Sequence, residues 1–165
     1  MQTLNVGAGQ TETEYQATEE KRRAELRADS LDNANYFFWA AGIAALGSGI
    51  LPVFPFRLNI LVNIGVIDLL RFYGRPLGTS YSAAVYGAEA AWLLILVGLG
   101  LAARKGNRWA FLAGIVLYAA DMLALITMFS LWAFGVHAFF VFRWFQGQKA
   151  LKDLQETSGP AAEAA

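Results

Sequence analysis

Polar and apolar positions fall into blocks along this chain. Residues 1–35 are polar, residues from Tyr36 to Gln146 are dominated by apolar runs, and the remainder is polar again. Within the first block, "TETEYQATEEKRRAELRADSLDNAN" places Thr11 and Glu14 at capping-box spacing, with Lys21/Glu25 and Glu19/Arg23 four apart. That pattern predicts a charged surface helix with too few large apolar residues to form a core. A solvated or membrane-surface segment is the simpler reading, and a partner-binding helix is the other. The first apolar run, 36–54, predicts a spanning helix with Ala41, Ala45 and Gly49 in a small-residue row, ended by Pro52 and Pro55.

"LNILVNIGVIDLL" (58–70) is too short to cross a bilayer. Its thirteen residues reach about 20 Å as a helix, against roughly 30 Å of hydrocarbon. With Gly74, Pro76 and Gly78 behind it, it reads as an interfacial or re-entrant connector helix. Asn59 and Asn63 share one of its faces and suit an interfacial anchor. Residues 81–102 predict a second span, and "RKGNR" (104–108) a tight basic turn. From Trp109 to Phe145 the chain is almost continuously apolar and, as one helix, would extend about 55 Å, so it must reverse. Placing the reversal at Thr127–Ser130 gives spans at 109–127 and 130–146, followed by a polar tail, 147–165.

The expected fold class is therefore an all-α membrane protein. Four transmembrane helices form an antiparallel bundle, with the connector helix between spans 1 and 2 and the charged surface helix in front. Positive charge supports that count. With both termini inside, Lys21, Arg22, Arg23, Arg27, Arg104, Lys105, Arg108, Arg143, Lys149 and Lys152 are inside, leaving only Arg57, Arg71 and Arg75 outside. Making 58–70 a fifth span would leave the two sides nearly even, so the positive-inside rule selects four. Trp39, Trp109 and Trp144 then fall near the inner boundary, and Tyr81 and Trp132 near the outer one. The expected location is a bacterial inner membrane with both termini cytoplasmic.

Composition narrows the function classes. Hydrophobic residues make up 56% and charged residues 16%, compared with about 45–50% and about 25% in soluble domains. Net charge is zero, which argues against nucleic acid as a partner and leaves the bilayer, other membrane subunits or self-association. Cysteine is absent, excluding disulfides, thiolate metal sites and thiol redox chemistry. No apolar segment with a cleavage site heads the sequence, so insertion is expected to rely on the first span.

Against this background the intramembrane acids stand out. "VYGAEAAW" (85–92) and "VLYAADML" (116–123) each carry one carboxylate, three residues after a tyrosine. Folding the hairpins about Gly106 and Phe129 brings Glu89, Asp121 and His137, from three spans, to one level. An ionised group facing lipid costs at least a few kcal/mol, so the three should face inward. Tyr86 and Tyr118 lie one turn before their acids and could hydrogen-bond them, and Ser82 continues the Glu89 face. Arg71, three residues after Asp68 in the connector, could reach Glu89 or Asp121. The candidate ligand- or proton-binding set is thus Glu89, Asp121, His137, Tyr86, Tyr118, Arg71 and Asp68.

That set suits a proton relay or a structural network equally. Glu89, Asp121 and His137 could also hold iron or manganese, although no Glu-x-x-His pair accompanies them. Ser82 and Ser130 lack a nucleophile motif, and "VGLGLAARKG" is glycine within a span rather than a phosphate loop. "HAFFVFRWFQ" reads as lipid and packing surface before it reads as a quinone slot. No cofactor is specified.

The stretch "YGAEAAWLLILVGLGLAARKGNRWAFLAGIVL" (86–117) resembles the DoxX-like families of small bacterial membrane proteins. In these a second-span glutamate precedes a leucine- and glycine-rich run, a basic turn and an apolar third span. The resemblance implies four spans, an inner-membrane location and Glu89 as the second-span acid. In some members it implies an accessory subunit of a quinone-linked oxidoreductase, without a reaction common to all. The resulting expectation is an accessory or structural subunit of a membrane complex, without established enzymatic activity. The alternative is a small-ligand, proton or metal-binding protein that uses the Glu89/Asp121/His137 cluster, linked to quinone redox chemistry.

Overall fold

Thr11 starts the first helix as the sequence pattern anticipates. Its Oγ1 accepts from the Glu14 amide at 3.4 Å, and Glu14 Oε2 accepts from the Thr11 amide at 3.0 Å, closing a capping box. The computed structural model describes residues 11–47, 65–74, 79–127 and 131–158, excepting the side chains of 68, 71, 72, 79–82, 127 and 158. These residues form five helices: α1 (Glu12–Ala45), α2 (Gly65–Gly74), α3 (Thr79–Arg104), α4 (Arg108–Thr127) and α5 (Leu131–Ser158). The chain is all-helical across the described residues. Two helices, over Ala83–Arg104 and Arg108–Ile126, are long and apolar enough to cross a membrane.

The α3–α4 turn is dictated locally. Gly106 takes φ of 84°, a left-handed conformation that only glycine adopts without strain. Its amide donates to the Ala103 carbonyl at 2.9 Å, and the Asn107 amide to Ala102 at 3.1 Å, satisfying carbonyls at the end of α3. Asn107 Oδ1 then accepts from the Trp109 amide at 3.0 Å and starts α4.

Side-chain pairings fix the directions. Along α4 and α5, Phe111 lies near Gly147, Gly114 near Trp144, and Asp121 bonds His137, so these helices are antiparallel. α1 meets α5 through Arg23–Thr157, Asn33–Gly147 and Phe37–Trp144, also antiparallel. Phe37 also packs near Gly100 of α3 and Gly114 of α4. α1 and α4 thus run opposite to α3 and α5, with α2 lying against α3 and α4 at the end away from the α3–α4 turn.

Aromatic packing fills the bundle. Phe37 and Trp144 stack with centroids 4.1 Å apart, and Tyr118 meets Trp144 edge-on at 4.7 Å. Ala34, Ala40, Leu96, Phe111 and Phe140 complete the core. A smaller cluster of Ala44, Ile67 and Val85 holds α2.

Several expectations change here. The boundary at Tyr36 does not interrupt α1, a single helix of 34 residues and about 51 Å. Its polar half is held to the end of α5 by Arg23, which donates to the Thr157 carbonyl at 2.7 Å instead of pairing with Glu19. The tail expected from 147 is helical to Ser158 for the same reason. The inward row of α1 is Ala34, Phe37, Ala41 and Ala44, so of the expected small-residue row Ala41 faces inward and Ala45 does not. A strict four-residue step drifts around a helix of 3.6 residues per turn, so Ala45 is exposed. Trp144 is fully buried in the core and not part of a boundary belt, whereas Trp39, Trp109 and Trp132 are exposed. Gly49, Pro52, Pro55, Asn59, Asn63 and Ser130 lie outside the described residues, as do the side chains of Tyr81 and Ser82.

Candidate functional site

Asp121 is completely buried in the middle of the fold. Its Oδ2 accepts from the Gly65 amide at 2.9 Å and its Oδ1 from the Val66 amide at 2.8 Å. These are amides of the first turn of α2, which have no intrahelical acceptor. A side chain of α4 therefore caps a helix 55 residues earlier in the chain. The same Oδ2 lies 2.8 Å from His137 Nε2 of α5. One carboxylate ties three elements together.

The imidazole is held at both nitrogens. His137 Nδ1 lies 2.9 Å from the Ala133 carbonyl, which can only accept, and Nε2 faces Asp121 Oδ2 at 2.8 Å. Tyr118 stacks its ring on His137 at 4.6 Å and closes the inner side of the pair.

Glu89 is buried on α3 at the same height. Trp92 meets Tyr118 with centroids 6.3 Å apart, and Glu89 and Asp121 each lie three residues further toward the α2 end. Their helices run in opposite directions, so each acid is about 4.5 Å beyond that contact. Tyr86, expected on the Glu89 face, is instead 64% exposed. Asp68 and Arg71 sit in α2, but their side chains lie outside the described residues, and so does the pairing expected of Arg71. Among the described residues no three His, Asp or Glu side chains stand together as a metal-holding set.

Sequence reasoning passed over the backbone donors at Gly65 and Val66. The signal was the glycine in "NIGVID". A methyl at Gly65 would lie 2.8 Å from the Asp121 carbonyl oxygen, 2.9 Å from Leu125 Cγ and 3.0 Å from the Leu125 nitrogen. Two of those atoms are helix backbone and cannot yield. Gly65→Ala is accordingly expected to lift α2 from α4 while α1, α3, α4 and α5 stay packed, at about 1–3 kcal/mol. Limited proteolysis would test this: faster cleavage around α2 with an intact α3–α5 fragment is the expected result, and an unchanged pattern would contradict it.

An apolar recess between α1 and α5 is bounded by Ile43, Trp132, Val136 and Phe139, and two more polar cavities flank the α3–α4 turn. No protein-family model, curated protein or solved structure matches the chain.

Proposed function

We propose that this protein is a non-catalytic four-span membrane bundle acting as an accessory or structural subunit of a membrane complex, with Asp121–His137 as its internal latch. One observation carries the reading: the buried Asp121 carboxylate is already taken by two backbone amides and the His137 imidazole of its own chain. A carboxylate so engaged holds helices together instead of waiting for a ligand.

Support for the membrane setting comes from the outward faces. Leu46 on α1, Leu94 and Leu101 on α3, Val116 and Leu123 on α4, and Phe139, Phe142 and Phe145 on α5 are all exposed. Such a continuous apolar surface is a liability in water and costs nothing against acyl chains. The two long apolar segments are only 22% and 39% buried, unlike the core helices of a soluble protein. In this reading α1 and α5 are the other two spans, both termini are cytoplasmic, and the DoxX-like resemblance of 86–117 points to the same class. Partners then dock on exposed aromatic and small-residue faces.

The test is purification of the tagged full chain from its native membranes in mild detergent, with mass determination and metal and cofactor analysis. The expected result is retention in the carbonate-washed membrane pellet and a particle containing a second membrane protein in fixed stoichiometry. A lone ligand-free chain would end the subunit reading. A stoichiometric metal or quinone, lost in Glu89→Gln while the fold survives, would replace it with the ligand-binding alternative.

A further inference from the structure

The chain is electrically neutral overall, yet its cations are unevenly matched. Arg22 pairs with Glu19, Arg143 with Asp32, and Lys152 with Glu156. Around the α3–α4 turn, Arg27, Arg104, Lys105 and Arg108 have no ion pair among the described residues. Arg104 finds only the Phe38 ring, 6.0 Å from its guanidinium carbon.

These cations border two cavities that share Gly106. Arg27, Arg104 and Lys105 border one of about 240 Å³. The other, of about 490 Å³, is lined by Asn107, Arg108, Trp109, Leu112, Gln148 and Gln155. Arg108 lines this cavity, and its Nε is buried without a hydrogen-bond partner, a donor that calls for an acceptor. A guanidinium matches phosphate oxygens two at a time. The amides of Gln148 and Gln155 add neutral donors, Gln155 already reaching the Gly106 carbonyl at 3.4 Å. Leu112 and the exposed indole of Trp109 also line the cavity. Cation, amide, indole and aliphatic surface together are the groups that meet phosphate, glycerol and acyl chain at a bilayer boundary.

We infer that the cavity beside the α3–α4 turn seats the phosphate headgroup of an anionic phospholipid, held by Arg108 with Gln148 and Gln155. The unpaired Arg27, Arg104 and Lys105 supply the surrounding positive field. The inference rests on the membrane reading above, because only a bilayer presents a phosphate and an acyl chain to this cavity together.

The test is native mass spectrometry of the delipidated full chain in neutral detergent, titrated with phosphatidylglycerol, phosphatidylcholine, glycerol 3-phosphate and inorganic phosphate. Phosphatidylglycerol is expected to bind at least about tenfold more tightly than phosphatidylcholine. Arg108→Gln should lose about tenfold of that affinity, as a charge-assisted hydrogen bond does. Gln148→Leu should lose less, Arg108→Lys should recover part, and Arg22→Gln, which removes the same charge elsewhere, should lose none. Equal binding of the two lipids, or equal effects of Arg108→Gln and Arg22→Gln, would overturn the assignment. Glycerol 3-phosphate or inorganic phosphate binding as tightly as the lipid would overturn it in favour of a soluble phosphate site. A chain that stays monodisperse without detergent would remove the membrane reading itself, an outcome separate from failure in the lipid titration.

Discussion

Asp121→Leu is expected to be among the most damaging single substitutions in this protein, at about 3–5 kcal/mol. It leaves the buried Gly65 amide and His137 Nε2, and the part-buried Val66 amide, without their partner. Asp121→Asn should cost less, about 1–3 kcal/mol. Its amide nitrogen can donate to Nε2 of a neutral His137, and its oxygen can still accept from Val66, but the Gly65 amide then faces another donor. The ordering wild type, Asn, Leu therefore separates the capping of α2 from the contact with His137. Thermal unfolding in detergent gives the ordering, and amide exchange at Gly65 and Val66 shows whether α2 opens first. Equal midpoints for Asp121→Leu and wild type would show that the carboxylate does not hold these elements.

How this site was legible in advance depends on what a linear pattern encodes. Reversing the chain near Phe129 is enough to bring Asp121 level with His137, because two antiparallel helices share one rise per residue. The structure ends α4 at Thr127, begins α5 at Leu131 and joins those two side chains. Rotation is not encoded in the same way. Tyr86 and Tyr118 hold equivalent places before their acids, yet one faces out and the other is buried on His137, since orientation is set by the neighbouring helix. Local composition also understates helix length. The polar start of α1 looks separable by residue type, and its continuity comes from packing along α5, with Arg143 clasping Asp32 at 2.8 Å and Tyr36 beneath its guanidinium at 4.3 Å. The docking of α2 was the least visible feature, because its donors are backbone groups and its signal a single glycine.

Trp144 carries the second large expectation, and it turns on close contact in the core. In the membrane setting proposed above, acyl chains are as apolar as leucine, so burying an indole gains little from expelling lipid and more from contact. Trp144 has that contact on several sides: Phe37 stacked at 4.1 Å, Tyr118 edge-on at 4.7 Å and Phe140 at 5.9 Å. Trp144→Ala leaves a void that these rigid rings cannot fill, for a loss of about 3–5 kcal/mol. Trp144→Phe behaves differently. The indole Nε1 is buried without a hydrogen-bond partner, so phenylalanine gives up some contact area while removing an unpaired donor, and the net change should stay within about 1 kcal/mol. Trp109→Ala is the matched control, since its ring is 74% exposed and its loss should cost no more than about 0.5 kcal/mol. Unfolding of the three variants in one detergent measures all of this. A Trp109→Ala cost equal to that of Trp144→Ala would contradict the aromatic core, because tryptophan would then matter by its chemistry and not by the side of the helix it occupies.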